Sequence, residues 1–376
     1  MVIGIPKESD AGERRVALSP DGAKELVAKG LEVSVEHGAG QASTFPDAAC
    51  EAVGASISTT PWNADIILKV LPPNLDEVKQ LKAGATTVSF LAPVQNQPIT
   101  EALAAQKVDA FAMDLMPRIS RAQVMDVLSS MSTIAGYKAA LLCASELPRF
   151  FPMLMTAAGT LAPARVLVIG AGVAGLQAIA TCRRLGALVE AFDVRPAVKE
   201  QIESLGAKFI GLSLLTEEAE DAGGYAKEVS GDTHARELEL IASRLPQIDG
   251  VITTALIPGK RAPILISEDM VKTMKPGSVI VDLAAPNGGN CECTVTGETT
   301  ARHGVTIVGR TDLLASMAAD ASRMLSKNIV SFLNLIVQEG AINLDLEDEI
   351  IRGTLVTHGG KIVHEVTRLA LQGGHP

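Results

Sequence analysis

The run Gly170-Ala-Gly-Val-Ala-Gly175 has the residue types and spacing that let a backbone close around a diphosphate. Gly170 permits a tight turn after a strand. Gly172 lets the main chain approach a pyrophosphate, and Gly175 lets the next helix pack close to the strand. Ala171, Val173 and Ala174 complete the turn. A β-branched run, Arg165-Val-Leu-Val-Ile169, precedes it, and an Ala-rich helical pattern follows to about Gly186. The start of that helix offers unpaired N–H groups and a partial positive charge to an anion. Asp193 ends the next strand-like run, Leu188-Val-Glu-Ala-Phe-Asp193, eighteen residues after Gly175, near the ~20 expected for a carboxylate that binds a ribose. With Val194 and Arg195 it forms the ribose end of the candidate site. A carboxylate there favours NAD(H) over NADP(H), whereas Arg195 is the counter-indication because a guanidinium can pair with a 2′-phosphate. The plain alternative is a glycine-rich strand–helix turn with no ligand.

A second set stands at Met116-Pro-Arg-Ile-Ser-Arg-Ala-Gln-Val-Met-Asp-Val-Leu-Ser-Ser130. Read as a helix, Gln123, Asp126 and Ser129 share one face, with Arg118 at its entry and Val124, Val127, Leu128 and Met131 free to be buried elsewhere. An amide, a carboxylate and a hydroxyl in one stripe could recognise a carboxamide. Equally, Ser120 and Gln123 match a capping box, which would employ Gln123 in backbone bonding alone. Spacing leaves the two readings open.

These groups need a scaffold. Strand patterns at 2–5, 31–35, 65–70, 86–91 and 108–113 alternate with helical patterns at 20–29, 47–53, 75–82 and 100–106, which implies a parallel sheet covered on both faces. A long helical pattern runs from Ser120 to about Phe151. Strands follow at 165–169, 188–193, 208–210, 250–254, 278–282 and 305–308, a helix at 315–338, and a hairpin near 353–364 turning at His358-Gly359-Gly360. The expected architecture is α/β: two Rossmann-like, doubly wound parallel-sheet domains joined by long helices with a cleft between them. The expected domains are 1–128 with 316–376, and 129–315.

Composition sets limits. The chain has 376 residues, 47% of them apolar and 3% aromatic, with a net charge of −10. Two aliphatic cores are within reach, and the lack of a basic run argues against nucleic acid. Five scattered cysteines fit a reducing compartment; Cys291-Glu-Cys293 is too tight and isolated for a zinc site, and no metal is expected. The N-terminus lacks signal-peptide character, and no apolar run reaches the ~18 residues of a membrane helix, with 168–182 the nearest.

Several motifs carry a family resemblance along nearly the whole chain. Ile5-Pro-Lys-Glu8 with Glu13-Arg-Arg-Val-Ala-Leu-Ser-Pro20 resembles the opening of the alanine dehydrogenase and nicotinamide nucleotide transhydrogenase superfamily. Pro117-Arg-Ile-Ser-Arg-Ala-Gln123, Ala157-Ala-Gly-Thr160, Gly223-Gly-Tyr-Ala-Lys-Glu228, Thr254-Ala-Leu-Ile-Pro-Gly259 and Gly277-Ser-Val-Ile-Val-Asp-Leu-Ala284 are similar to its proton-translocating transhydrogenase branch, and within it to the NAD(H)-binding component. The resemblance implies that Arg118, Asp126 and Ser129 hold the nicotinamide end, and that Gln123 reaches toward a second nucleotide, NADP(H), on a partner beta subunit. It implies that Asp193 binds the adenosine ribose and that Tyr225 lies on a mobile lid; the Gly223-Gly224 pair reads either as its hinge or as an ordinary glycine turn. Thr254, Ala255 and Leu256 would border the nucleotide. It further implies a homodimer, a membrane-spanning alpha component supplied separately, and a cytoplasmic position on the inner face of the cell membrane held through partners.

The alanine dehydrogenase branch binds its oxo-acid with an Arg and a Lys and handles protons with a His and an Asp. Arg15 and Lys69 match the first two positions, which leaves them ion pairs with nearby carboxylates as a structural role. The other two positions are Ala92 and Pro286. Oxidising an amine releases a proton and needs a base; hydride exchange between two nicotinamides does not. The six histidines (His37, His234, His303, His358, His364, His375) are expected on loops or near the C-terminus, exposed. Three functions follow in order: transhydrogenase subunit, alanine-type dehydrogenase, non-catalytic NADH sensor.

Overall fold

The computed structural model describes residues 1–211, 231–256 and 261–373. Tyr225, the Gly223-Gly224 pair, Ile257 to Gly259 and His375 lie outside the described residues. The chain divides into two compact units, Met1–Met131 with Leu314–Pro376, and Ser132–Leu313. The fold is α/β.

In the first unit, six parallel strands lie in the order Ser56–Ser58, Glu32–Glu36, Val2–Ile5, Ile66–Leu68, Thr86–Ser89, Asp109–Ala112. This is a doubly wound order, because the chain builds to one side of Val2–Ile5 and then crosses to the other. Ser56–Ser58 was absent from the sequence pattern; as a three-residue edge strand it buries too little to show an apolar signature. The hairpin Leu355–His358/Lys361–Ile362 extends the sheet antiparallel to Asp109–Ala112, and its turn uses Gly359 and Gly360 at φ 56° and 83°. Such paired positive φ values suit a two-residue hairpin turn.

The second unit repeats the plan. Lys208–Ile210, Leu188–Phe192, Arg165–Ile169, Gly250–Thr253, Val279–Asp282 and Val305–Val308 are parallel, and Thr299–Arg302 closes the edge antiparallel. Side chains alternate between two cores. Val166, Val168, Ile252 and Val281 face one; Leu167, Ile169, Val251 and Ile280 face the other. Both faces are buried, which is why these strands read as continuous apolar runs. A small hairpin, Leu154–Thr156 with Gly159–Leu161, carries exposed Met155 and Leu161.

The long pattern expected from Ser120 to Phe151 is two elements. A 3₁₀ segment, Ser120–Met125, precedes the α-helix Val127–Glu146. That helix also corrects the hydropathy reading: at 20 residues it is long and apolar enough to cross a membrane by length and composition alone. Ala139, Ala140, Cys143 and Leu147 on and just beyond it lie in the core of the second unit.

Candidate nucleotide site

The glycine run sits where the second sheet reverses direction. Arg165–Ile169 and Gly250–Thr253 are neighbours, yet the chain visits two strands on the far side before returning. Ligands of open α/β sheets bind beyond the strand C-termini at such a switch point. Gly170 follows Ile169 directly at φ 94°, a conformation that a Cβ resists. Its missing Cβ would also lie 2.5 Å from Thr254 Oγ1. Thr254 donates from that oxygen to the Gly170 carbonyl at 3.0 Å and from its N–H to the Ile169 carbonyl at 2.8 Å. A Cβ at Gly175 would lie 1.9 Å from Gly170 O, so this glycine is needed for packing.

Gly172 differs. It caps the helix Val173–Arg184 with no side-chain hydrogen bond and with φ −74°, which any residue adopts. Nothing lies within 4 Å of where its Cβ would be. The turn therefore leaves open space beside uncapped helix N–H groups, the arrangement that receives a phosphate. The residues present fit a dinucleotide. Sequence reasoning missed Gly136, on the helix Val127–Glu146. A Cβ there would lie 2.0 Å from Ala174 O, so Gly136 lets that helix touch the first turn of Val173–Arg184. An isolated glycine in an apolar helix gives no sign of which neighbour it admits.

Asp193 is buried, and its carboxylate is already occupied. Oδ1 accepts from Arg195 N and Nε, both at 2.9 Å; Oδ2 accepts from Arg195 Nη2 at 2.9 Å and from Ala171 N at 2.7 Å. The ion pair neutralises the charge that was expected to face a ribose, and it ties the ribose end to the glycine turn. Val194 packs against the core. Thr254 and Ala255 are half-buried and Leu256 is exposed.

In the first unit the sequence-derived stripe does not form as expected. The 3₁₀ segment ends at Met125 and Asp126 takes an extended conformation (φ −74°, ψ 91°), so Gln123 is not on one α-helical face with Asp126 and Ser129. Asp126 instead caps the following helix: Oδ1 accepts from Ser129 N at 2.9 Å and Oδ2 from Ser129 Oγ at 2.5 Å. An Asp three residues before a hydroxyl reads equally as a helical stripe or as a cap, and the ψ that separates the two readings is set by packing. The Ser120–Gln123 capping box is also absent, since Ile119 is the N-cap and no side chain bonds there. Val124, expected to be buried, is 63% exposed.

What holds this segment is tertiary. Asn328 donates from Nδ2 to Val124 O at 2.8 Å, and Arg121 pairs with Asp348 at 2.7 Å. Gln123 and Arg118 are exposed on the surface so fixed.

The sheet reversal of the first unit lies between Val2–Ile5 and Ile66–Leu68, and its own charges occupy it. Lys69, 1% exposed, pairs with Glu8 at 3.2 Å and Glu77 at 3.3 Å. Burial pushes the Glu8 carboxyl above its ordinary value despite Lys69 and the Val70 N–H. Arg15 forms a two-pronged pair with Glu13 at 2.8 and 2.6 Å. Ala92 sits at φ 42° with its N–H on Asp114 at 2.9 Å, and Pro286 is exposed in a short 3₁₀ turn. Neither side chain can carry a proton.

Each described histidine has a local carboxylate or helix-cap partner. His37, His303 and His358 pair with Asp47, Glu268 and Asp109. His364 caps the helix Glu365–Leu371, where burial lowers its pKa. His234 lies on the helix Gly231–Arg244 beside Glu237, not in a loop as expected.

Two domain models match, Alanine dehydrogenase/PNT N-terminal domain over residues 4–135 and Alanine dehydrogenase/PNT C-terminal domain over residues 139–365. The chain belongs to the alanine dehydrogenase/PNT family. Within it, the chain is 51% identical to the first part of NAD(P) transhydrogenase subunit alpha of Rhodospirillum rubrum, across 97% of this chain and 98% of the relative. It is 30% identical to alanine dehydrogenase of Bacillus subtilis, across 97% and 93%. The crystal structure of transhydrogenase from Sinorhizobium meliloti superposes with a TM-score of 0.86 at 44% identity, covering 97% of this chain and all of that one (100%).

Proposed function

We propose that this chain is the NAD(H)-binding subunit of a proton-translocating transhydrogenase. It passes a hydride between NADH held here and NADP⁺ on a partner beta subunit, and a membrane-spanning component couples the exchange to proton movement. Bound NAD(H) supplies the hydride chemistry. The chain's own residues position it: Gly170, Gly172 and Gly175 receive the diphosphate, Asp193 and Arg195 the ribose end, and Arg118, Asp126 and Ser129 the reacting end. Gln123, exposed on its anchored 3₁₀ segment, reaches toward the partner's nucleotide.

The observation that carries this reading is the pair Ala92 and Pro286, at the positions where the resemblance places the proton-handling His and Asp of an amino-acid dehydrogenase. Hydride exchange between two nicotinamides needs orientation, which can supply on the order of 7–11 kcal/mol of a barrier, and needs no base. The internal pairing of Arg15 and Lys69 supports the same choice over oxo-acid binding. The greater identity to the Rhodospirillum rubrum subunit than to alanine dehydrogenase points the same way. The reading includes a homodimer, for which the exposed apolar hairpin at Leu154–Leu161 offers a surface. It also includes a peripheral position on the inner face of the cell membrane through partner subunits.

The test mixes the purified chain with a transhydrogenase NADP(H)-binding domain and follows reduction of an NAD analogue by NADPH. Turnover is expected in the mixture and in neither component alone. NADH oxidation by this chain with pyruvate and ammonia would favour the dehydrogenase; NADH binding without turnover in the mixture would favour a sensor.

A further inference from the structure

A buried amide outside the glycine fingerprint organises the same turn. Asn290 is fully buried (0% exposed). Its Oδ1 accepts from Ala255 N at 3.0 Å, and its Nδ2 donates to Ala255 O at 2.9 Å and to Pro263 O at 2.8 Å. Its own N–H donates to Asp282 Oδ2 at 2.8 Å, and its carbonyl accepts from Leu265 N at 2.8 Å and Ile266 N at 3.0 Å. The amide orientation follows from the partners. Reversed, the NH₂ group would meet the Ala255 N–H and the oxygen would meet two carbonyls.

Asp282 anchors this residue in turn. Its Oδ1 accepts from Thr253 Oγ1 at 2.9 Å and Ala284 N at 3.0 Å, and its Oδ2 from Cys291 N at 3.1 Å and Thr294 Oγ1 at 2.7 Å. The carboxylate thus fixes the stretch from Ala284 to Thr294 against the strand end at Thr253. Asn290 then carries that fixed position to Ala255. Ala255 adjoins Thr254, whose hydroxyl holds the Gly170 carbonyl at 3.0 Å, and the Gly170 carbonyl is the atom that Gly175 must clear.

We propose that Asn290 is a positioning residue of the nucleotide site. Through Ala255 and Thr254 it sets the height and tilt of the Gly170–Gly175 turn. This rests on the reading of that turn as the NAD(H) site. A side-chain amide is suited to the task because it gives and accepts at one backbone position, which no apolar residue of that size does. Buried networks of this kind are costly to leave half-satisfied.

The experiment measures NADH binding by fluorescence titration, and amide hydrogen exchange, on the purified chain and on Asn290→Ala and Asn290→Asp. NADH binding by the parent chain tests the underlying reading, and its absence would remove the basis for both. Given that binding, Asn290→Ala is expected to weaken it at least tenfold and to speed exchange at Ala255 without ligand. Asn290→Asp sets an oxygen against two carbonyls, so its binding should recover as pH is lowered and the new carboxyl acquires a proton to donate. Asn290→Ala should show no such recovery relative to the parent. Because ligand and clamp stabilise each other reciprocally, NADH should slow exchange at Ala255 in the parent chain. That measurement stands even if a variant does not fold. A folded Asn290→Ala that binds NADH within twofold of the parent, or Ala255 exchange indifferent to saturating NADH, would overturn the assignment.

Discussion

Gly172 and Gly175 offer a separation of ligand binding from packing within one four-residue stretch. Gly175→Ala places a Cβ 1.9 Å from Gly170 O, and backbone cannot swing aside as a flexible side chain can. The turn must shift by more than 1 Å to restore ordinary contact, and overpacking of this kind costs about 1–3 kcal/mol. Gly172→Ala places its Cβ in open space at an ordinary φ. Its effect on folding is a near balance of roughly 0.5–1 kcal/mol lost because Ala caps a helix less well than Gly, and roughly 0.4–1 kcal/mol gained from a less flexible unfolded chain. The methyl group intrudes only when a pyrophosphate fills that space. A clash of about 1–3 kcal/mol there corresponds to roughly 5- to 150-fold weaker NADH binding, since about 1.4 kcal/mol is tenfold. Thermal melts and NADH titrations of both variants decide the matter. Gly175→Ala should lose stability and affinity together, and Gly172→Ala affinity alone. Unchanged NADH affinity in Gly172→Ala would refute the placement of the diphosphate.

Other residues carry separable expectations. Asp193→Ala removes the carboxylate proposed to accept from the ribose hydroxyls, and hydrogen bonds to a charged group are worth about 1.5–3 kcal/mol. NADH titration should show a loss of roughly 10- to 150-fold. Arg195→Ala removes the cation paired with Asp193 and should widen the preference for NADH over NADPH; a narrowed preference in paired titrations would assign Arg195 a different role. Asp126→Asn keeps a good N-cap, so the melting temperature should hold while hydride exchange with an NADP(H) domain slows, as measured by single-turnover absorbance. Asp249 is held below its ordinary value: burial opposes this, but the Arg165 N–H, Lys275 and Arg149 outweigh it. Its stabilisation is therefore present at neutral pH and lost as pH falls through the depressed value, and Asp249→Asn should flatten the acid limb of a melting-temperature profile.

The parallel cores were legible because both faces of each sheet are covered, so that Val166 to Ile169 and Val279 to Val281 form unbroken apolar runs. The glycine turn was legible because each glycine answers a local constraint. The arrangement around Asp126 was not. Residues 120–130 show helical spacing throughout, and the break at Asp126 depends on Asn328 and Arg121 reaching partners more than 200 residues away in sequence. Asn290 was invisible for a related reason: an asparagine after two glycines reads as a turn, and only its burial against Ala255 and Pro263 reveals a clamp. The pairing of Asp193 with Arg195 lay between the two readings, since both residues were named but not the bond that joins them.

The proposed exchange moves a hydride between nicotinamide rings with no proton-handling side chain between them. The direct measurement supplies NADH carrying deuterium at the transferred position, together with this chain, an NADP(H)-binding domain and NADP⁺ in ordinary water. The deuterium is expected in NADPH without loss to solvent. Label washed out into water, or transfer that requires pyruvate and ammonia, would contradict it.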